Sequence, residues 1–280
     1  MTYREIYLWA CDTLKKQGVP DAEIDAGILL DFAASLNRAR YYLCQDEIID
    51  PGSETCYRKA VEKRAARIPL QHITGVQEFM GFPFQVNENV LTPRQDTETL
   101  AEQAIGVLRE GDSVLDLCTG SGCIIISLAR LCPGVRAAAT ELSVNALETA
   151  RSNAQRNGVK IQFFQADLFT PIEGKLTGPF DLIVSNPPYI PTDEIDSLMD
   201  EVRLHEPRIA LDGDRDGLNF YRRIARESTF HLKKGGRLMV EIGCGQAEAV
   251  CSLFEENLFR QVRVIKDLSG LDRVVRGILT

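Results

Sequence analysis

Two periodicities divide the chain. Over residues 3–67 apolar positions recur with helical spacing: Ile6, Trp9, Ala10, Thr13 and Leu14 form one stripe, and Ile24, Ile28, Leu29 and Phe32 the next. Such spacing gives each helix one apolar face, so a small bundle is expected, ending near Ala66. Breaks at Gly18 with Pro20 and at Pro51 with Gly52 punctuate it, and Asp21 is placed to cap the second helix. Residues 78–86 then read as a short hairpin turning at Gly81.

After residue 95 short apolar runs alternate with helical stretches. Strands are expected at 113–117, 135–140, 161–165, 180–185 and 237–242, and helices at 96–108, 124–131, 143–156 and 218–232. Alternation of this kind builds parallel strands with helices on both faces, a doubly wound α/β sheet. Two further runs, 262–265 and 274–278, are separated by hairpin spacing.

Composition narrows the function classes. With 44% hydrophobic and 26% charged residues the chain is that of a globular protein with a sizeable core. Against 32 Lys and Arg stand 40 Asp and Glu, a net charge of −8, which disfavours non-specific affinity for nucleic acid or anionic lipid. The eight cysteines contain no C-x-x-C pair, and only three histidines accompany them, so no zinc site is expected. They read as small buried hydrophobes in a reducing compartment. No basic region with an apolar signal core follows Met1, and no stretch approaches a membrane span, so a cytoplasmic protein is expected.

Candidate chemistry begins where the first strand of the alternating region ends. Asp116, Leu117, Cys118, Thr119, Gly120, Ser121 and Gly122 lead into a helix, where glycines let the backbone approach a ligand beside free helical N–H groups. A dinucleotide fingerprint would continue with glycine at 125, but Ile125 stands there, and no Walker lysine follows. A tight turn using glycine only for geometry would read the same way. Two acids add to the signal. Glu141, at the end of the second strand, is placed to accept both hydroxyls of a ribose. Asp167, after the third, is placed to accept from an exocyclic amine, with Leu168 over a purine face. A nucleoside pocket without a phosphate cradle points to S-adenosylmethionine.

The fourth strand ends in Ser185, Asn186, Pro187, Pro188, Tyr189 and Ile190. Consecutive prolines hold the chain extended and remove N–H donors. The Asn186 side-chain oxygen and the Pro187 carbonyl are then two acceptors for the hydrogens of a planar –NH₂, and Tyr189 can stack on the planar group. An amide nitrogen delocalises its lone pair; gripping both hydrogens makes it more nucleophilic through positioning and electrostatics, without a strong base.

On these residues the chain resembles class I S-adenosylmethionine-dependent methyltransferases that act on amide or exocyclic amino nitrogens. It resembles most closely the HemK/PrmC family of peptide chain release factor glutamine N5-methyltransferases. Further segments carry the likeness: Leu91 to Leu100 with Thr92, Pro93, Arg94, Asp96 and Glu98; Glu206 to Gly213 with Asp216; and Lys266 to Arg273. The resemblance implies a Rossmann-like methyltransferase sheet over 96–280, an N-terminal helical substrate-docking domain over 1–75 and a hairpin linker over 76–95. It implies that Asn186, Pro187, Pro188 and Tyr189 bind the glutamine amide of a Gly-Gly-Gln motif in bacterial class I release factors. Cys118, Thr119, Gly120, Ser121, Gly122, Glu141, Asp167 and Leu168 would line the S-adenosylmethionine site, which Asn186 also borders. Arg94 and Glu98 either orient the substrate or open the following helix. Three positions depart from the family pattern: Gln95 for proline, Glu141 for aspartate, and Cys118 for glycine, an exchange that costs little if φ at 118 is negative. A monomer is expected. A ribosomal-protein glutamine or an adenine N6 would suit the same pocket chemistry.

Overall fold

The computed structural model describes residues 1–171, 176 and 178–280. Contacts divide it into two compact units, one of residues 1–75 with 199–205 and one of 76–198 with 206–280.

The first unit is helical: α1 (Tyr3–Lys16), α2 (Ala22–Ala34), α3 (Arg38–Cys44), α4 (Pro51–Ala65) and α5 (Leu70–Thr74). A capping box between Thr2 and Glu5 opens α1, and Asp50 accepts from Ser53 N–H at the start of α4 with Pro51 in its first turn. Asp21 occupies the cap position of α2 but makes no side-chain cap bond. The stripe expected on α1 is largely met by Ile6, Ala10, Cys11 and Leu14. On α2 the expected stripe is met at Leu29 alone. Its buried face is Ala22, Asp25, Ala26, Leu29 and Leu30, while Ile24, Ile28 and Phe32 are exposed. Small alanines let the buried Tyr57 approach α2 closely enough for its hydroxyl to reach the Ala26 carbonyl at 2.9 Å. Asp25 is buried because Arg64 pairs with it at 2.7 Å, and Arg64 and Arg67 both also hold Glu201. Glu201 lies on α9 (Asp200–His205), a late segment that belongs to this first unit.

The second unit begins with the hairpin β1 (Val76–Phe79) and β2 (Phe82–Gln85), then α6 (Glu98–Ile105). Its alternating region runs β3 (Ser113–Leu117), α7 (Cys123–Leu131), β4 (Arg136–Glu141), α8 (Val144–Arg156), β5 (Gln162–Asp167), β6 (Thr170–Pro171) and β7 (Phe180–Ser185). It closes with α10 (Asn219–Ser228), β8 (Leu232–Glu241), α11 (Ala247–Glu256), β9 (Phe259–Lys266) and β10 (Asp272–Leu279). The sheet order is β6-β5-β4-β3-β7-β8-β10-β9, with β5, β4, β3, β7 and β8 parallel, β10 antiparallel to both of its neighbours, and β9 running in the same direction as β8. The doubly wound expectation therefore holds. Leu182 and Val184 of β7 face a core with α6 and α7, and Ile183 faces one with α10 and α11.

The hairpin, expected as a linker, is part of this unit: Phe79 and Phe84 are buried in the α6–α7 core. Strand β8 starts at Leu232, where a helix was expected, because α10 stops at Ser228. Of the eight cysteines Cys11 and Cys123 are buried in the cores, Cys44, Cys118 and Cys251 pack against them half-buried, and Cys56 and Cys244 are exposed. Among the described residues no helix is long and apolar enough to cross a membrane.

Candidate active site

Strand order reverses around β3, the place where open α/β sheets bind ligands at their carboxyl ends. A cleft opens there, and its lining brings together Cys118, Thr119, Gly120, Ser121, Glu141, Asp167, Leu168, Asn186, Pro188 and Arg94. These come from the ends of four strands and the loop before α6. Gly122, Pro187, Tyr189 and Glu98 do not line it.

The loop after β3 is built from left-handed backbone. Cys118, Gly120 and Gly122 have φ of 57°, 54° and 81°. Positive φ at Cys118 means that the exchange from glycine is not free; a side chain in this region costs about 1–2 kcal/mol. Leu168 is held the same way, at φ 52°, on the facing wall. Gly122 serves packing instead. An added Cβ there would lie 2.8 Å from Ile126 Cδ1 and 3.2 Å from Ala150 Cβ, so glycine lets α7 and α8 meet. Asn153 of α8 fastens the loop and the hairpin together, donating to the Ser121 carbonyl at 2.9 Å and the Gln85 carbonyl at 3.0 Å while accepting from Gln85 N–H at 2.7 Å. Asn153 was not legible as a site residue, since a polar residue in a helix carries no mark of its partners.

Acids give the cleft its electrostatic character. Glu141 accepts from Gly120 N–H and Ser143 N–H, both at 2.9 Å, one on each carboxylate oxygen. Each oxygen keeps a free lone-pair direction for a hydroxyl. Asp167 pairs with Arg223 at 2.9 Å. Asp116 is fully buried beneath the loop, accepting from the Thr119 hydroxyl on Oδ2, and among the described residues its Oδ1 has no partner. Burial pushes its carboxyl up to about 7. On the opposite wall Arg94 holds the buried Glu206 through both carboxylate oxygens at 2.8 and 2.7 Å. Glu206 was quoted only as part of a family segment; its role as the anchor of Arg94 was missed. Glu98 points elsewhere and accepts from Met80 N–H at 2.6 Å, tying the hairpin turn to α6.

At the end of β7 the two prolines keep the chain extended, and side chains in an extended chain alternate. Asn186 and Pro188 therefore face the cleft, while Pro187 and Tyr189 lie off it. Tyr189 is half-buried against the α10–α11 core, its ring 3.0 Å from where a Cβ at Gly243 would stand and its carbonyl accepting from Gln246 at 2.9 Å. Burial pushes its phenol up to about 12. Its expected stacking role is thus not presented. Asn186 donates through Nδ2 to Thr97 Oγ1 at 3.3 Å. Among the described residues no donor occupies its Oδ1.

Residues 5–75 match the PrmC N-terminal domain family, and residues 97–203 match the methyltransferase small domain family. The chain is 42% identical to the release factor glutamine methyltransferase of Geobacter sulfurreducens, over 99% of this chain and 96% of that one. It is 39% identical to the enzyme of the same name from Caulobacter vibrioides, over 99% and 97%. A methyltransferase structure from Pyrococcus furiosus, 19% identical, superposes with a TM-score of 0.55 over 78% of this chain and 98% of that one, a likeness of fold. With a methyltransferase sheet, a cleft at its switch point and near full-length identity to these enzymes, the chain belongs to the release factor glutamine methyltransferase family.

Proposed function

We infer that this chain transfers a methyl group from S-adenosylmethionine to the side-chain amide nitrogen, N5, of the glutamine in the Gly-Gly-Gln motif of bacterial class I release factors. The observation that carries this reading is Asn186 in one cleft with Gly120, Glu141 and Asp167, which joins an amide-gripping side chain to a nucleoside site.

The residues present suit S-adenosylmethionine. Open space lies beside Gly120, where an added Cβ would meet nothing within 4 Å. Among the described lining residues the basic one, Arg94, is taken by Glu206, and Asp167 is paired with Arg223, which leaves Glu141 as the carboxylate without a cationic partner, so the site favours a cationic sulfonium over a phosphate. Glu141 would hold the ribose hydroxyls, Asp167 and Leu168 the adenine, and the Cys118–Ser121 loop the remainder. When bound, the cofactor supplies an electrophilic methyl group on sulfur.

This chain's own part is to aim the nucleophile. Asn186 Oδ1 accepts from the glutamine –NH₂, draws the nitrogen toward a tetrahedral, electron-rich state and points its lone pair into the cleft. Pro188 walls the amide plane, and the Arg94–Glu206 pair braces the opposite side. Nitrogen loses its extra proton after the new N–C bond forms, so no base of high strength is required. The Pro187 carbonyl is the second acceptor for the other amide hydrogen, so Asn186 and Pro187 grip the –NH₂ together.

We assign the helical unit of residues 1–75 to docking the release factor. Ile24, Ile28 and Tyr42 are exposed on one groove of that unit, an apolar patch of the kind that marks protein contact sites. The protein acts in the cytoplasm as a monomer, without binding nucleic acid or membrane directly. The test is Asn186→Ala. Transfer should fall by about 10²–10³-fold, the loss typical of one transition-state hydrogen bond, with S-adenosylmethionine affinity nearly unchanged. Undiminished transfer by the variant would overturn the mechanism.

A further inference from the structure

Glu241 ends β8, and because Ser185 pairs with Val240 across the β7–β8 ladder, it stands beside Asn186. It is 2% exposed, a carboxyl in the core directly behind the residue that grips the substrate. The uncharged polar side chains beside its carboxyl are Thr97 and Asn186. Thr97 in turn accepts from Asn186 Nδ2 at 3.3 Å, so the three form one buried cluster. Glu241 Oε2 is buried and, among the described residues, has no hydrogen-bond partner, an expensive state for a group with no local purpose. Charged and titratable groups face it from every side: Asp96 from the turn before α6, Arg273 from β10, Tyr189 after β7, Tyr221 from α10 and Cys123 at the start of α7. None of these neutralises it by direct pairing. Arg273 is held instead by Asp267 at 3.1 Å and by Asp96 at 3.2 Å.

We propose that Glu241 is a positioning residue for methyl transfer, whose ionised carboxylate, acting on Asn186 Nδ2, fixes and polarises that amide so that Oδ1 meets the reacting nitrogen. A carboxylate on Nδ2 pushes electron density onto Oδ1, which strengthens its grip on the substrate –NH₂. The neutral acid has no such effect. Burial pushes the Glu241 carboxyl up to about 7, so the ionised share changes within the working range of the enzyme. The proposal rests on the functional reading above.

The experiment is single-turnover methylation of a purified release factor between pH 5.5 and 9, run on wild type and Glu241→Gln, with cofactor affinity and melting temperature measured alongside. Glutamine is isosteric and mimics the neutral acid. In wild type the rate should rise through about pH 7. In the variant it should stay flat near the acidic limb of wild type, about 10- to 100-fold below the alkaline plateau, as expected for a loosened catalytic contact. Cofactor affinity should not change, and melting at pH 8 should equal or exceed that of wild type, since a buried charge is removed. A variant that keeps the step, or runs flat at the alkaline plateau, overturns the proposal. A wild-type rate with no step near neutrality does so whatever the variant shows. If wild type transfers no methyl to the release factor at all, the functional reading fails instead.

Discussion

Two glycines two positions apart in the same loop, Gly120 and Gly122, should fail in opposite ways when changed to alanine. At Gly122, with φ 81°, a Cβ would lie 2.8 Å from Ile126 Cδ1 and 3.2 Å from Ala150 Cβ. Left-handed backbone costs about 1–2 kcal/mol for a non-glycine residue, and overpacking a close helix contact about 1–3 kcal/mol more. Gly122→Ala should therefore destabilise the sheet unit by about 2–5 kcal/mol, or about 5–15 °C in its melting temperature at this size. Gly120, with φ 54°, has nothing within 4 Å of an added Cβ, so Gly120→Ala carries only the backbone cost of about 1–2 kcal/mol. Its new methyl group sits on the lining of the cleft, so cofactor affinity should drop. The assay pairs thermal unfolding with calorimetric titration of S-adenosylmethionine at a temperature where both variants are folded. Gly122→Ala should melt early yet bind, and Gly120→Ala should melt close to wild type and bind weakly. A Gly122→Ala protein that melts like wild type but has lost the cofactor would refute the division of labour between the two glycines.

Cys118 is strained at φ 57° but packs against the core, so the relief of about 1–2 kcal/mol in Cys118→Gly is offset by lost packing and the greater chain entropy of glycine, and the melting temperature should stay within about 4 °C of wild type; a larger drop in differential scanning calorimetry would count against strain. Asp116 is fully buried with its folded pKa raised from 3.8 to about 7. A raised carboxyl favours the native state below the unfolded pKa, and that contribution disappears as pH climbs through the folded one. Wild type should thus lose stability between about pH 4 and 7, by something on the order of 4 kcal/mol for this group, and Asp116→Asn should flatten that slope in urea unfolding at pH 5 and pH 8. Equal slopes in the two proteins would contradict the assignment.

Much of this architecture was readable from periodicity. The β3 run at 113–117 and the β7 run at 180–185 coincide with the observed strands, because continuous apolar runs of that length are buried on both faces. The α2 stripe misled, since a helix apolar on most sides does not announce which side a partner will choose, and Tyr57 selected the alanines. In the motif, the extended path set by Pro187 and Pro188 was legible. Less legible was its effect on side-chain direction: alternation sends Tyr189 inward and leaves Asn186 and Pro188 facing the cleft. Glu206, Glu241 and Asn153 stayed hidden because each works through a partner roughly 30 or more positions away in sequence, a pairing only the folded chain reveals.

The central claim is most directly tested by mass spectrometry of a purified bacterial release factor after incubation with this protein and methyl-labelled S-adenosylmethionine. The account predicts one added methyl group, on the glutamine of the Gly-Gly-Gln motif, at its side-chain nitrogen. An unlabelled release factor, with cofactor binding to this protein verified in the same sample, would contradict it.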